Sequence, residues 1–158
     1  MADFDRTIPP GGEGKITLRV NTSDYQGEIR KRARVYTNDP RNSVEVLSIK
    51  AFVKVPIYLS PKYVYLRGLA GRKITKTVRI RVEGNNPLKL EPIHFDLSKK
   101  VTYRIEEIEA GRIFKVHFTS IPGPAGIYRG VLKLKTNYPE KPEITIRIIG
   151  KFKKGGQG

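Results

Sequence analysis

Three acidic residues close together, Glu106, Glu107 and Glu109, are the part of this sequence with the residue types needed for catalysis. Two carboxyl groups can serve as general acid and general base, which is how most glycosidases cleave their substrates. Carboxylates mostly lie in solvent, and we interpret these three as a strand end neutralised by nearby Lys and Arg. We therefore rank a hydrolase last among the candidate functions and expect a non-enzyme without catalytic residues.

Histidine, cysteine and serine offer no stronger site. The sequence has two histidines, His94 and His117, and no cysteine, which excludes disulfides, zinc–thiolate sites and thiol nucleophiles. A metal site needs ligands that converge on one cavity, and the spacing of these histidines predicts a surface or packing role instead. Ser60, Ser98 and Ser120 are expected in turns, without the context of a catalytic serine. We expect no metal, no cofactor and no small-molecule substrate.

Positive charge dominates the composition. The chain has 31 Lys and Arg against 15 Asp and Glu, a formal net charge of +16. Residues 1–55 hold 10 basic and 7 acidic residues, whereas residues 56–158 hold 21 and 8. An excess of this size favours an anionic partner, such as nucleic acid, another polyanion or an acidic protein.

Many of the basic residues recur at alternate positions, which places each row on one face of a strand. These candidate contacts to an anionic partner are Arg30, Arg32, Arg34, Arg79, Arg81, Arg129, Lys133, Lys135 and Arg147. The aromatic residues available for stacking on bases are Tyr36, Tyr58, Tyr63, Tyr65 and Tyr128. Because the rows lie on both outer faces of the predicted sheets, we favour a solvated surface that protects strand edges, and keep the anionic-partner surface as the alternative.

The elements that must position these residues are β-strands. Apolar and polar residues alternate in short segments separated by Gly, Pro, Asn and Asp, and no segment has the period of an amphipathic helix. The predicted strands are 15–20, 28–37, 44–55, 57–59, 63–66, 72–82, 88–97, 101–108 and 112–119, with two more within 126–150. The sequence therefore predicts an all-β protein, and residues 56–153 predict one complete immunoglobulin-like β-sandwich.

A sequence echo at a distance of 99 residues divides the chain. Gly27 precedes a Thr-Asn-x-Pro turn, as Gly126 does, and the turn residues are Thr37, Asn38 and Pro40 in one copy and Thr136, Asn137 and Pro139 in the other. Such residues form turns because Asn bonds its own backbone and Pro fixes φ. We predict that residues 1–55 are a partial module holding the last three strands, and that residues 154–158 are a flexible tail.

The partial module is too small to bury its own apolar residues well. Its inward row comprises Ile16, Leu18, Val20, Val35, Leu47 and Ile49. We expect this open face to be covered by the second module, by another molecule or by strands outside this sequence.

The motif residues resemble a bacterial family of uncharacterised immunoglobulin-like modules. The resemblance rests on Pro-Pro-Gly-Gly-x-Gly-Lys-Ile-Thr-Leu at 9–18, Tyr25-x-Gly27, and Tyr-Thr-Asn-Asp-Pro at 36–40, and is weaker in the second copy, where Tyr138 replaces Asp. That family carries a Gly-x(9)-Thr-Asn-x-Pro signature and is related in fold to ASH-type and major-sperm-protein-like domains. The resemblance implies a non-catalytic module, often in tandem and often exported, hence a periplasmic or extracellular location, with the cytoplasm left open.

Two functional hypotheses precede the hydrolase. The first is a structural or protein-interaction module of a larger envelope or exported protein, which binds proteins through strand edges or the open face of residues 1–55. The second is a basic β-sandwich that binds nucleic acid or another polyanion. No apolar run approaches the ~18 residues of a membrane-spanning helix, so we expect no membrane span.

Overall fold

The fold is given by a computed structural model, in which residues 2–155 are described. These residues form twelve β-strands and no helix, which confirms the all-β class. The strands are β1 (Ala2–Phe4), β2 (Ile16–Leu18), β3 (Gly27–Tyr36), β4 (Val44–Val53), β5 (Ile57–Ser60), β6 (Tyr63–Leu69), β7 (Thr75–Val82), β8 (Leu90–Phe95), β9 (Val101–Glu109), β10 (Ile113–Ser120), β11 (Gly126–Thr136) and β12 (Glu143–Lys153). The chain divides into two compact units between Lys54 and Val55, which we call unit 1 and unit 2.

Unit 2 is a sandwich of two four-stranded sheets, with strand orders β5-β7-β10-β9 and β6-β12-β11-β8. Neighbouring strands are antiparallel except β6, which runs parallel to β12. The chain moves from the first sheet to the second within Ser60–Tyr63, where Pro61 interrupts the strand. Because both this strand order and the early change of sheet are typical of immunoglobulin-like modules, the structure confirms the predicted sandwich.

The core of unit 2 lies between the two sheets, where alternate side chains of each strand point inward. Five of the residues predicted to face inward on β11 and β12 have no exposed surface: Leu132, Leu134, Ile144, Ile146 and Ile148. The opposite sheet contributes Phe114, Val116 and Phe118 from β10. Burial of one such side chain contributes roughly 1.5–3 kcal/mol, so this layer is the main source of stability of unit 2.

Unit 1 has a different architecture, because it consists of two separate two-stranded sheets, β1-β2 and β3-β4. Only Ile29 is buried among its apolar side chains in the described residues. The predicted inward residues Ile16 and Leu47 are 38% and 40% exposed. A lone two-stranded hairpin is at best marginally stable in water, so unit 1 has long strands without a closed core.

Several sequence predictions differ from the structure in detail. Strand β1 was not predicted, because three residues are too few to show a period of two. Ser120 is not in a turn: it is the buried last residue of β10, where its Oγ accepts a hydrogen bond from Ile74 N at 2.9 Å. Residues 156–158 of the predicted tail lie outside the described residues.

Candidate interaction surfaces

The two long hairpins, β3–β4 and β11–β12, have the same register. Gly27 pairs with Val53, and Gly126 pairs with Phe152, so both partners are shifted by the same 99 residues. The correspondence holds for each of the ten pairs of β3 with β4. The sequence echo therefore matches a residue-by-residue equivalence of two hairpins.

The turns of the two hairpins are built by the same hydrogen bonds. In the first turn, Thr37 Oγ1 donates to Asn42 O at 2.6 Å and accepts from Asp39 N at 3.2 Å. In the second turn, Thr136 Oγ1 makes the same two bonds with residues 141 and 138, at 2.5 and 3.1 Å. The threonine of each motif thus closes its own turn and needs no contact from elsewhere in the chain.

The asparagines of the two motifs have different surroundings. Asn137 Oδ1 accepts a hydrogen bond from Lys89 N at 2.8 Å, and its Nδ2 donates to Pro87 O at 2.9 Å. These bonds hold the residues just before β8 against the end of β11. The equivalent Asn38 is exposed and makes no hydrogen bond to any residue in the part of the chain that the structure describes.

The outer edges of the two hairpins also differ. In unit 2, β8 pairs with β11 and β6 pairs with β12, so both edges of that hairpin are occupied. In unit 1, no strand within residues 2–155 pairs with the outer edge of β3 or of β4. Each of these two strands is ten residues long, and unpaired edges of this length are templates for binding another strand.

Exposed apolar side chains lie beside the arginine row of unit 1. Arg34 on β3 is directly opposite Val46 on β4, and Phe52, 64% exposed, lies on the same face. The sequence analysis named the arginines and missed Val46 and Phe52. Their signal was the apolar character of both faces of β4, which is typical of a strand that is covered on two sides.

The nine predicted basic residues occupy three separate surfaces. The first surface is the outer face of β3, which carries Arg30, Arg32 and Arg34. On this face the Glu28 carboxylate forms ion pairs with Arg30 at 2.9 Å and with Lys50 at 3.2 Å. The structure therefore keeps the first row together and leaves Arg32 and Arg34 without an ion pair among the described residues.

The second surface is the outer face of the sheet that contains β7. Arg79 and Arg81 both project from it, as the alternation predicts. Arg81 binds Glu83 at 2.9 Å and lies over the Tyr58 ring, 5.0 Å from its centroid. One of the two cations is thus partly neutralised by a neighbouring carboxylate.

The third surface is the outer face of the other sheet and joins cations to aromatic rings. Tyr63 and Tyr65 stack with their ring centroids 6.3 Å apart. The guanidinium of Arg67 lies 4.8 Å from the Tyr65 centroid, and that of Arg147 lies 5.9 Å from the Tyr63 centroid. This arrangement resembles the stacking platforms flanked by positive charge that bind single-stranded nucleic acid.

The remaining cations of that third surface are Arg129, Lys133 and Lys135. Lys133 Nζ binds Glu143 at 3.1 Å. Hydrogen bonds from Lys133 and Thr145 hold the pKa of the Glu143 carboxyl below its ordinary value of 4.5. Part of the positive charge on this face is therefore already compensated.

The acidic cluster does not converge on a cavity. Glu106 binds His117 Nε2 at 2.9 Å and Arg104 at 3.3 Å on the outer face of its sheet. Glu107 instead accepts a hydrogen bond from Gly111 N at 2.6 Å and closes the turn after β9. The hydrogen bond from His117, with Arg104 nearby, lowers the pKa of Glu106, which favours an ionised carboxylate in a surface network over a general acid.

Metal and membrane sites are also not indicated. His94 and Asp96 are 4.0 Å apart, and the described residues contain no group of three or more His, Cys, Asp or Glu placed to hold a metal ion. Within residues 2–155, no helix is long and apolar enough to cross a membrane.

Tyr128 is not available for stacking on a ligand, so its prediction was wrong. Its ring packs over Gly150, where a Cβ would overlap it, and stacks on Phe152 with centroids 6.0 Å apart. Its Oη is buried and has no hydrogen-bond partner among the described residues, and burial raises the pKa of the phenol. Alternation itself places Tyr128 on the same side of β11 as Leu132 and Leu134, opposite Gly150, which leaves space for the ring.

Comparison with known proteins does not assign this chain to a family. No protein-family model matches the chain, and a search of curated sequences finds no relative. Among solved structures, the chain is similar to the crystal structure of domains 4 and 5 of the S-layer protein SbsC, with 14% sequence identity over 92% of this chain and 94% of that chain. The TM-score is 0.37, too low to bear on the fold or the function of this chain.

Proposed function

We propose that this chain is a non-catalytic, structural immunoglobulin-like segment that binds other polypeptides through unit 1. The observation that carries the proposal is the hairpin β3–β4, whose two ten-residue strands have no strand on either outer edge within the described residues. Such edges bind extended segments through main-chain hydrogen bonds, and the side chains beside them supply specificity.

The apolar residues of β4 support the same function. Val44, Val46 and Tyr36 lie next to one another on one face of the hairpin, Phe52 lies farther along that face, and Leu47 lies on the other face, all of them exposed. Soluble proteins seldom expose contiguous apolar surface without a partner for it. A partner that covers the hairpin gains this apolar burial in addition to backbone hydrogen bonds.

The setting of the module is part of the proposal. The equivalent hairpins and the turn motifs support a duplicated module in which unit 1 is the partial copy. The resemblance of these motifs to the bacterial immunoglobulin-like family supports a role within a larger exported or envelope-associated protein. The resemblance implies a non-catalytic module, and the carboxylates of β9 are likewise not placed around one site.

Site-specific photo-crosslinking tests this function. A photoreactive residue is placed at position 46 of unit 1 or, as a matched control, at Thr145, which is the equivalent position of β11–β12. We expect crosslinked polypeptide at position 46 in the source cells and none at position 145, because the edges beside Thr145 are occupied. Equal crosslinking at both positions, or adducts that nuclease rather than protease removes, would contradict the proposal.

A second candidate function is binding of a polyanion by the sandwich. The pairs Tyr63–Arg147 and Tyr65–Arg67 favour it, since they combine aromatic surface with positive charge. A phosphate-binding surface loses affinity steeply with salt. The test is retention on heparin or single-stranded DNA, where Arg67→Glu with Arg147→Glu abolishes retention and Arg79→Glu preserves it. Absence of retention of the unsubstituted chain at about 50 mM salt excludes this candidate.

A further inference from the structure

The outer edge of β3 is unpaired among the described residues, whereas the equivalent edge of β11 is paired with β8. In unit 2, β8 runs antiparallel along β11, and its residues Leu90 to Phe95 lie opposite Thr136 to Leu132. Shifted by 99 residues, this pairing places an incoming antiparallel strand opposite residues 33–37 of β3. The equivalence of the two hairpins therefore supplies both the direction and the register of a missing neighbour.

The backbone groups that would receive this strand can be identified. Thr37 N donates to Ser43 O across the turn, and successive residues of a strand direct their N–H groups to opposite edges. The N–H groups of Tyr36, Arg34 and Arg32 therefore point to the free edge. In unit 2, Val131, the counterpart of Arg32, donates its N–H to Asp96 Oδ1 at 2.8 Å.

The charges along this edge select the partner. Arg32 and Arg34 project from the same outer face and have no ion pair among the described residues, whereas Glu28 already binds Arg30. A second copy of β3 would bring the same arginine row against this one, and like charges on directly opposed strands are destabilising. A strand with carboxylates at the outward positions pairs favourably with the two guanidinium groups, which form bidentate contacts with carboxylates.

Asn38 provides an independent sign of the same partner. Its counterpart Asn137 binds both a backbone carbonyl and a backbone N–H at the beginning of β8. The residues that would be bound by Asn38 are the matching residues of a strand on β3. The repeat thus retains the side chain that holds such a strand, in a unit that has no such strand among its described residues.

Lys31 limits the length of the added strand. Its counterpart is Gly130, against which Asp96 and Leu97 pack so closely that a Cβ would overlap them. Lys31 instead extends toward Tyr25, with Nζ 2.5 Å from Tyr25 Oη and 4.4 Å from the ring centroid. An added strand that follows the register of β8 therefore lies along Arg32 to Asn38 and turns away before Lys31.

We infer that the edge of β3 from Arg32 to Asn38 binds, in the antiparallel direction, an extended segment of another polypeptide that alternates apolar and acidic residues. This inference rests on the proposed function of unit 1 as an interaction module and names the chemistry of its partner. Apolar residues of the segment lie on the side of Ala33 and Val35, and its carboxylates face Arg32 and Arg34.

The test uses the full chain and three synthetic peptides. They are a Val-Glu repeat of eight residues, the matching Val-Lys repeat, and the Val-Glu repeat with a central proline, which keeps the charge and cannot complete a ladder. The readout is amide hydrogen exchange of β3 by NMR. We expect the Val-Glu repeat to slow exchange at Arg32, Arg34 and Tyr36 by about tenfold or more, because exchange then requires the added strand to open.

The pattern of protection decides between strand addition and plain electrostatic attraction. Ala33 and Val35 direct their N–H groups to β4 and should change little. Equal protection by the proline peptide, or protection without this alternation, overturns the inference, as does preference for the Val-Lys repeat.

Two variants and a control sharpen the test. Arg32→Glu with Arg34→Glu should exchange the preference from the Val-Glu to the Val-Lys repeat, whereas Lys133→Glu, on the occupied edge of unit 2, should leave it unchanged. Asn38→Ala should weaken the affinity for the Val-Glu repeat at least about fivefold, because two hydrogen bonds equivalent to those of Asn137 are lost. An unchanged peptide preference in the double variant contradicts the role of the arginines.

Failure of this inference differs from failure of the proposed function. If position 46 crosslinks polypeptides in cells and the Val-Glu repeat gives no protection of β3, unit 1 is an interaction module with another kind of partner. If neither result is obtained, the proposed function fails as well.

Discussion

Hairpins β3–β4 and β11–β12 have the same turn, register and length of pairing, yet β11–β12 is at the centre of a core, whereas β3–β4 has no strand on either outer edge within residues 2–155. Ile146 of β12 has no exposed surface, whereas its counterpart Leu47 of β4 is 40% exposed. Asn137 holds a neighbouring strand, and Asn38 holds none among the described residues. The comparison shows that the hairpin is a local product of sequence, while its role depends on the strands that cover it.

The largest expected difference between the hairpins is in core packing. Ile146→Ala removes buried methyl and methylene groups between two sheets, so we expect a loss of about 2–5 kcal/mol in the free energy of unfolding. Leu47→Ala, its counterpart, should cost less than about 1 kcal/mol because its side chain is partly solvated already. Urea denaturation of both variants measures the contrast, and equal losses would show that unit 1 has a closed core after all.

The next effect concerns the asparagine of each turn motif. Asn137→Ala removes two hydrogen bonds to the beginning of β8 and leaves Lys89 N without its partner, which should cost about 1–2 kcal/mol. Asn38→Ala in the free chain should change stability by no more than about 0.5 kcal/mol. Thermal unfolding of the two variants compares them, and a large loss for Asn38→Ala would mean that this side chain has a structural role without a partner strand.

Tyr128 offers a stabilising substitution. Its Oη is buried without a hydrogen bond in the described chain, so Tyr128→Phe should raise the stability by about 1 kcal/mol. Burial raises the pKa of this phenol above its ordinary 10.0, which means that the folded state favours the neutral form. Its contribution is present below pH 10.0 and is lost as the pH rises through the folded-state pKa.

Unfolding midpoints measured from neutral to alkaline pH check this prediction. Tyr128→Phe should lose less stability above pH 10.0 than the unsubstituted chain. Tyr36→Phe, at an exposed position of unit 1, is the matched control and should follow the unsubstituted chain. A destabilised Tyr128→Phe would indicate that the hydroxyl is bonded in solution.

The smallest expected effect is at the surface pair of Glu106 and His117. The hydrogen bond from His117 lowers the pKa of Glu106, so the folded state favours the carboxylate. Its contribution is present above the ordinary value of 4.5 and is lost as the pH falls through the folded-state pKa. Glu106→Gln should therefore slightly reduce the acid dependence of the unfolding midpoint, and Glu109→Gln should not. The same change in both variants would rule out a specific role for the pair.

Alternation was sufficient to predict the strands of unit 2 and their inward residues. It succeeded at Leu134 and Ile146 because a strand buried on one face must separate apolar from polar residues. Tyr128 and Ser120 also lie on the inward sides of their strands, as alternation requires. Their errors arose elsewhere, because Tyr128 was counted among the exposed aromatic residues and Ser120 was placed beyond the end of its strand. In the structure the Tyr128 ring packs over Gly150, and Ser120 Oγ accepts a hydrogen bond from Ile74 N. Neither the close approach of a backbone nor the partner of a hydroxyl can be deduced from a period of two.

The basic surface illustrates the same limit. The rows of Arg30, Arg79 and Lys133 were read correctly as outward, since alternate residues share a face. Their separation onto three surfaces, the stacking of Tyr63 on Tyr65, and the apolar neighbours of the β3 row depend on which strands become adjacent. That information is in the pairing of distant segments and not in any one strand.

The sequence by itself determined the hairpins: Thr37 and Thr136 close the two turns through short-range hydrogen bonds, and the alternation of side chains fixes each strand. Only the tertiary structure decided which hairpin is buried in a core and which one is exposed. Strands β5 to β10 cover β11–β12 and make it a core, whereas in the described part of the chain β3–β4 has neither a facing four-stranded sheet nor a strand on its outer edges. The physical reason is that local bonds are satisfied within a few residues, while burial requires a second sheet whose contribution no single segment encodes.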